Sequence, residues 1–277
     1  ASAVPLLLLN ARLSEKSASQ YARFPHLTHH GLHGLFLIAA QPEADAQRIA
    51  GLCGRPVSTM GNLKYDIKPP LAMLELGEHL RKLFGQRPVF LVASTREGEE
   101  ALLLKALQHL TDKDLLTVIV PRHPQRFGEV ASLILQHGFT LQRRSLDAVI
   151  SPGTQVILGD SMGEMFAYYN ACDVAFIGGS LLPFGGQNLI EACSVGKPVL
   201  IGQHTYNFAQ ASDIAVACDA AIRVDSAAEL IQILNQLLQD SGHRTRMGQA
   251  GLKFVHDNQG ATECAASLIA EALKHRF

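Results

Sequence analysis

The segment GGSLLPFGGQNLIEACSVGKPVLIGQHTYNF, residues 178–208, predicts a glycine-rich loop and a short helix between two buried strands. The strands are indicated by the apolar runs 174–177 and 198–201. Four glycines permit positive φ angles and a close approach of the backbone to a ligand: Gly178, Gly179, Gly185 and Gly186. Asn188 is a favourable N-cap for a helix over 189–195, so we expect this loop to bind an anion or a nucleotide.

Length and composition exclude several classes of protein. At 277 residues with 47% hydrophobic composition, the chain is long enough for two domains. A net charge of -1 and the absence of a basic cluster argue against nucleic acid as a partner. Five widely spaced cysteines without a CxxC pair indicate neither disulfides nor zinc, which fits a reducing cytoplasm. No apolar run approaches the length of a membrane span, so we expect these residues to be soluble.

The first segment shows α/β alternation. Apolar runs at 6–9, 35–39 and 57–60 predict strands, and the patterns at 14–23 and 42–52 predict helices. The run at 6–9 is typical of a strand buried on both faces, and a strand so early in the chain leads us to expect that an upstream portion is missing. The stiff Lys68-Pro69-Pro70 sequence marks a linker, giving domains at 1–68 and 69–277, with a last helix at 261–275 that packs back on the first domain.

Four histidines lie in HLTHHGLHG: His26, His29, His30 and His33. They raise the alternative of a metal site. Because no Asp, Glu or Cys lies nearby in sequence, a solvated loop is the favoured interpretation, and we expect no metal.

Two cations follow predicted strands. Lys64 in GNLKYD is either a surface lysine or a fixed charge facing a phosphate or carboxylate. Arg122, between Pro121 and Pro124, follows the strand predicted at 115–120, where it either pairs with a phosphate or forms a structural salt bridge. The carboxyl ends of parallel strands are where ligands bind in such sheets.

Three loops after predicted strands carry a capping residue followed by Glu three positions later. The pairs are Ser94 with Glu97, Ser161 with Glu164, and Asn188 with Glu191. Glu191 either closes a capping box or turns outward to accept hydrogen bonds from sugar hydroxyls, and spacing alone slightly favours the cap. Three such loops at one sheet edge, together with the glycines, indicate a nucleotide-type ligand.

In order along nearly the whole chain, GNLKYD, STREGEE, PRHPQRF, GDSMGEM and GGSLLPFGGQN resemble the 3-deoxy-D-manno-octulosonic acid (Kdo) transferase family of lipopolysaccharide synthesis. The resemblance implies an α/β fold of the GT-B class, with two Rossmann-like doubly wound domains, the first of them truncated. It also implies inverting transfer of Kdo from CMP-Kdo to the lipid A precursor, lipid IVA, without a metal or other cofactor, at the cytoplasmic side of the bacterial inner membrane.

The family's site residues fall on matching positions of this chain. CMP contacts are implied at these residues: Pro121, Arg122, Met162, Gly163, Glu164, Asn188, Leu189, Ile190 and Glu191. The sugar-donor loop would add these: Ser94, Thr95, Gly178, Gly179, Ser180, Gly185 and Gly186. Lys64 matches the lysine that stabilises the transition state. A fixed cation suits that role because charge develops on the departing phosphate.

Some features depart from the family. Arg96 stands where the family usually has His, and LIEAC stands where a proline often follows the Glu. No residue matches the family's general base, a Glu in a Gly-Glu motif near the start of the first domain, or its hydrophobic membrane-anchoring segment. We therefore expect the chain to bind CMP without transferring Kdo.

Two alternatives remain at the level of sequence. A sugar-nucleotide epimerase or hydrolase can share this architecture, because a fold does not fix a function. The chain can also be a nucleotide-binding module without catalysis.

Overall fold

The computed structural model describes residues 4–112, 114–146 and 149–274. By its contacts the chain divides into two compact units. Among the described residues, unit 1 comprises 4–67 with 256–274, and unit 2 comprises 68–255.

Unit 1 is a three-stranded parallel sheet in the order β1-β2-β3 with helices around it. Its elements are β1 (Leu7–Ala11), α1 (Glu15–Tyr21), α2 (Pro25–His33), β2 (Leu37–Ala40), α3 (Glu43–Cys53), β3 (Ser58–Thr59) and, from the end of the chain, α12 (Ala261–Lys274). Ala261 and Ala265 of α12 pack against Ala39 and Met60, so the last helix completes the core of this unit. Residue 275, where the predicted helix ends, lies outside the described residues.

Strand β1 is less buried than the sequence predicts. Leu9 packs against the cluster that contains Ala39 and Ala265. Leu6 and Leu8, which point to the other face, are 63% and 36% exposed. The expectation of a strand buried on both faces is therefore wrong, because alternate side chains of a strand face opposite ways and only one face is well covered here.

The histidine-rich segment is helix α2, so the prediction of a loop is wrong. Pro25 starts the helix at a position where the missing N–H costs nothing. Position spacings of three and four place the four histidines along one side, and the rings of His29 and His33 stack with centroids 5.2 Å apart. No cluster of three metal-ligating side chains occurs in the described parts of the chain.

Unit 2 is a seven-stranded parallel sheet in the order β10-β9-β8-β4-β5-β7-β6. Its strands are β4 (Val89–Thr95), β5 (Leu116–Pro121), β6 (Leu141–Arg143), β7 (Val156–Leu158), β8 (Val174–Ile177), β9 (Val199–Ile201) and β10 (Ala221–Arg223). Its helices are α4 (Leu71–Phe84), α5 (Glu99–Leu107), α6 (Phe127–Gln136), α7 (Met165–Ala171), α8 (Ile190–Ser194), α9 (Ala209–Ala217), α10 (Ala227–Gln239) and α11 (Ser241–Asp257), whose last two residues belong to unit 1.

Strand β4 is the centre of this sheet. It pairs with β5 on one side and with β8 on the other, and residues 89–93 are at most 1% exposed. After β4 the chain builds the sheet in one direction through β5, and from β8 it continues in the opposite direction. The β4–β8 boundary is therefore the switch point of the sheet, beside which ligands bind in doubly wound folds.

None of the helices in the described parts of the chain is both long enough and apolar enough to cross a bilayer.

Candidate nucleotide-binding site

A cavity of about 240 Å³ opens at the carboxyl edge of the unit 2 sheet. The loops after β4, β5, β7 and β8 all contribute to it. Its lining consists of Ser94, Val120, Pro121, Arg122, Ser161, Met162, Gly163, Glu164, Met165, Tyr168, Tyr169, Gln187, Asn188 and Glu191. Seven of the nine CMP contacts that the family resemblance implies are thus brought to one place. Leu189 and Ile190 are buried beneath it, 1% and 0% exposed.

Glu191 faces the cavity from the first turn of α8. Asn188 holds this turn, because its Oδ1 accepts the N–H of Ile190 at 3.1 Å and its Nδ2 donates to Oε1 of Glu191 at 3.1 Å. The favoured capping box is therefore not formed: Glu191 accepts from a side chain rather than from the backbone N–H of Asn188. Burial raises the pKa of Glu191, against the opposing effects of the Asn188 bond and the charge of Arg122.

Arg122 is exposed at the end of β5. Its backbone N–H donates to the carbonyl of Thr95 at 3.0 Å, which fixes the loop to the end of β4. Because its guanidinium projects from a fixed backbone beside the Glu191 carboxylate, this part of the cavity presents a cation and an acceptor together.

The loop after β7 is held by side chains. Ser161 Oγ donates to Glu164 Oε2 at 2.6 Å and lies 2.6 Å from the hydroxyl of Tyr168. Glu164 also pairs with Arg144, Nε to Oε2 at 3.2 Å. The predicted capping box is wrong in detail, since Glu164 itself is the N-cap residue of α7 and the bond joins two side chains. Burial raises the pKa of Tyr168 above its usual range, so its hydroxyl stays protonated.

The predicted capping box of Ser94 with Glu97 is also wrong. Strand β4 continues through Ser94 and Thr95, and α5 starts only at Glu99, with Gly98 as its N-cap. Ser94 adopts a φ of +57°, a conformation that is uncommon for a residue other than glycine. Such backbone strain is often found at functional sites, and Ser94 lines the cavity.

Glu99, which the sequence analysis did not single out, clamps the glycine loop. Its carboxylate is fully buried and accepts the N–H groups of Arg96 at 2.9 Å, Gly179 at 2.6 Å and Leu181 at 3.0 Å. Burial raises its pKa, and the three backbone donors oppose that rise. One carboxylate thus joins the loop after β4 to the loop after β8.

Glu100 and Arg126 form a second buried connection. Arg126 donates to both oxygens of Glu100, at 2.7 and 3.1 Å, and the hydroxyl of Thr95 donates to Glu100 at 2.5 Å. Burial opposes the charge of Arg126, but its bonds to Glu100 and Glu129 outweigh burial and raise the pKa of the guanidinium. This network ties the end of β4 to the helix that follows β5.

The glycine loop packs too tightly for side chains at two positions. A Cβ on Gly178 would lie 2.6 Å from the Ser94 carbonyl oxygen, and one on Gly185 would lie 2.4 Å from Asn207 Nδ2. Asn207 donates to the carbonyl of Phe184 at 3.1 Å, which closes the loop. Ser180 and Thr95, two of the predicted loop residues, are buried and bonded within the protein, so their side chains hold the loops and do not line the cavity.

Lys64 lies in unit 1, on a short 3-10 helix, Leu63–Tyr65, which Asn62 caps by accepting the Lys64 N–H at 3.0 Å. Partial burial and the nearby charge of Arg12 lower the pKa of its ammonium group. Asp66, at the end of the same turn, accepts the N–H groups of Gly260 and Thr262 at the start of α12. The turn is therefore anchored on both sides.

Two family profiles match the sequence. Residues 1–67 match "3-Deoxy-D-manno-octulosonic-acid transferase (kdotransferase)", and residues 82–254 match "Glycosyl transferases group 1". The chain belongs to the Kdo transferase family.

Individual members of the Kdo transferase family agree with this assignment. The chain is 37% identical to the 3-deoxy-D-manno-octulosonic acid transferase of Haemophilus influenzae, over 98% of this chain and 65% of that protein. It is 38% identical to the enzyme of the same name from Bordetella pertussis, over 95% of this chain and 62% of that protein. The chain thus spans less than two thirds of the length of these curated relatives.

A solved domain structure is similar to about two thirds of the chain. The C-terminal CMP-Kdo binding domain of WaaA from Acinetobacter baumannii is similar to 67% of this chain and matches over 99% of its own length, with a TM-score of 0.64 and 31% identity. Together with the two parallel sheets, these matches confirm the α/β fold of the GT-B class and the Kdo transferase family that the sequence motifs predict.

Proposed function

We propose that the unit 2 cavity binds the CMP group of CMP-Kdo, and that the chain supplies the sugar-donor site of a transferase that moves Kdo to the lipid A precursor. The observation that carries the proposal is the pair of carboxylates, Glu164 and Glu191, beside Arg122 in one cavity at the switch point. The similarity of the chain to the C-terminal CMP-Kdo binding domain of WaaA supports it.

Each group has a role that suits its chemistry. Glu191 accepts hydrogen bonds from the ribose hydroxyls, because carboxylates are acceptors and its turn is fixed by Asn188. Arg122 pairs with the phosphate, for which a guanidinium is well shaped. The main chain at Met162 and Gly163 supports the base, and Gly163 takes a φ of +79° there.

Lys64 is proposed to act on the rate. Breaking the bond between phosphate and Kdo leaves negative charge on CMP, so a cation that meets this charge stabilises the transition state more than the ground state. Burial lowers the pKa of Lys64 and the charge of Arg12 lowers it further, so two cationic side chains lie near each other at this turn of unit 1. Transfer proceeds with inversion and without a metal.

The acceptor is proposed to be lipid IVA, reached at the cytoplasmic face of the inner membrane. Inverting transfer also needs a base near the acceptor hydroxyl, a contribution of about 10² to 10⁴ in rate. The Gly-Glu pairs of this chain, at 77–78, 98–99, 128–129 and 163–164, all lie in unit 2, so none matches the family's Gly-Glu motif of the first domain. The chain as it stands is therefore expected to bind CMP and to transfer no Kdo. Transfer to lipid IVA by the purified chain, followed by mass spectrometry, would contradict this.

Calorimetry with CMP tests the site. Glu191→Ala and Arg122→Ala should each weaken binding about 10- to 150-fold, the equivalent of about 1.5 to 3 kcal/mol for a hydrogen bond to a charged group. Glu78→Ala and Arg246→Ala are matched controls, since both side chains are exposed and lie outside the cavity. Unchanged CMP affinity in both site variants would refute the assignment. Tighter binding of UDP-GlcNAc than of CMP-Kdo would favour the epimerase or hydrolase alternative.

A further inference from the structure

Arg96 occupies the loop that leaves β4 at the switch point of the sheet. Its backbone N–H is held by Glu99, the same carboxylate that holds Gly179 and Leu181. Its guanidinium carbon lies 4.6 Å from the centre of the Phe184 ring, in cation–π contact with the glycine loop. The Arg96 side chain is therefore attached to both loops that flank the switch point.

The hydrogen-bonding edge of this guanidinium is largely available. Its Nε donates to Oε2 of Glu97 at 3.1 Å, and within residues 4–112, 114–146 and 149–274 no acceptor is bound to Nη1 or Nη2. The side chain is 27% exposed, so its charge is partly withdrawn from water while two nitrogens can still meet a ligand. A planar guanidinium in this state suits bidentate recognition of a carboxylate.

Arg96 adjoins the cavity through Gly179. A Cβ built on Gly179 would lie 3.2 Å from Gln187 Nε2, 3.5 Å from Arg96 Cγ and 3.6 Å from Phe184 Cβ. Gln187 lines the cavity, so Arg96 lies on the β8 side of it, on a different loop from Arg122 and the ribose-directed Glu191. Arg96 and Arg122 thus place one cation on each of two loops, Arg122 in the cavity lining and Arg96 next to Gly179.

We infer that Arg96 is a specificity-determining residue that binds the carboxylate of the sugar acid in the CMP-linked substrate, while Arg122 binds the phosphate. The inference rests on the proposed function, because Kdo is an octulosonic acid and CMP-Kdo carries both anions. Phe184 holds the guanidinium plane, and Gln187 supplies an adjacent amide donor. A nucleotide without the sugar acid would leave Arg96 with its bond to Glu97 and its contact with Phe184 alone.

Calorimetry on the 277-residue chain with CMP and with CMP-Kdo tests this. Arg96→Met keeps a long apolar side chain on Phe184 and removes the charge. It should weaken CMP-Kdo binding at least tenfold and leave CMP affinity within twofold. Arg96→Lys should recover part of the loss, because it restores the charge without the planar fork. Arg122→Ala should weaken both ligands equally, and Arg246→Ala should affect neither.

The outcomes separate this inference from the proposed function. An equal loss of CMP and CMP-Kdo affinity in Arg96→Met would assign Arg96 to the phosphate and overturn the inference. No loss for either ligand would make Arg96 a structural residue and also overturn it. If the unaltered chain binds neither ligand, the proposed function itself fails.

Discussion

The buried pair of Glu100 and Arg126 gives the sharpest stability prediction. Glu100 is fully buried, and its partner's side chain is only 6% exposed. Removing one member of a buried pair costs about 3–5 kcal/mol because the other charge stays buried. Glu100→Gln should lower the free energy of unfolding toward the lower end of that range, since Glu129 still pairs with Arg126.

Glu129→Gln, at another partner of Arg126, is the matched control for Glu100→Gln. A second partner, Glu129, bonds at 3.1 Å but is 64% exposed. Exposed ion pairs contribute about 0–1 kcal/mol, so Glu129→Gln should change the free energy of unfolding by less than about 1 kcal/mol. The two substitutions make the same chemical change in two partners of the same arginine. The two carboxylates differ in burial, and Glu100 also accepts the Thr95 hydroxyl.

Urea unfolding followed by far-ultraviolet circular dichroism is the assay, because the chain has no tryptophan. With a slope of about 2 kcal/mol per M, a loss of about 3 kcal/mol moves the midpoint of the unit 2 transition by about 1.5 M. The double change with Arg126→Gln should cost less than the sum of the two single changes, since the pair is coupled. Equal, small shifts for Glu100→Gln and Glu129→Gln would refute the claim that burial makes this pair important.

Three further results are expected. Glu99→Gln should speed amide exchange at Gly179 and Leu181 and weaken CMP binding, because the amide offers one acceptor oxygen for three N–H donors; unchanged exchange there would argue against a clamp. Lys64→Ala should leave the CMP affinity of this chain unchanged, and the matching change in a transferase that has the general base should lower kcat about a hundredfold. A raised KM at constant kcat would instead mean that Lys64 binds the ground state and the transition state equally well. Burial would raise the pKa of Asp66, but hydrogen bonds from the start of α12 outweigh burial and lower it. The Asp66 carboxylate should therefore stabilise the fold above pH about 4, and this stabilisation should be lost as the pH falls through the lowered pKa. A stability difference between Asp66→Asn and the unaltered chain that persists at pH 2 would contradict this.

The sequence alone determined features that depend on local chemistry. Short apolar runs predicted β5, β8 and β9 because strands buried on both faces have no polar alternation. Helix α4 begins directly after Pro70, the last residue of the predicted linker, because proline is unfavourable inside a helix and tolerated at its start. The glycine loop was also predicted from the sequence, because glycine tolerates the φ angles of +70° to +89° that occur at three of its positions.

Local patterns failed where tertiary pairing competes with them. Ser94 and Glu97 have the spacing of a capping box, yet pairing with β5 carries β4 through Thr95, and the helix starts only at Glu99. The histidine segment became helix α2 because its contacts with α3 stabilise a helix that local composition did not favour.

Only the tertiary structure revealed the connections that hold the site. Glu99 meets Gly179 across 80 residues, and Glu100 meets Arg126 across 26. In sequence, both glutamates look like ordinary acidic residues of a helix's first turn, where the helix dipole favours them. Their function as buried acceptors depends on which loops the parallel sheet brings to its carboxyl edge, and strand order is a non-local property that spacing along one chain does not encode.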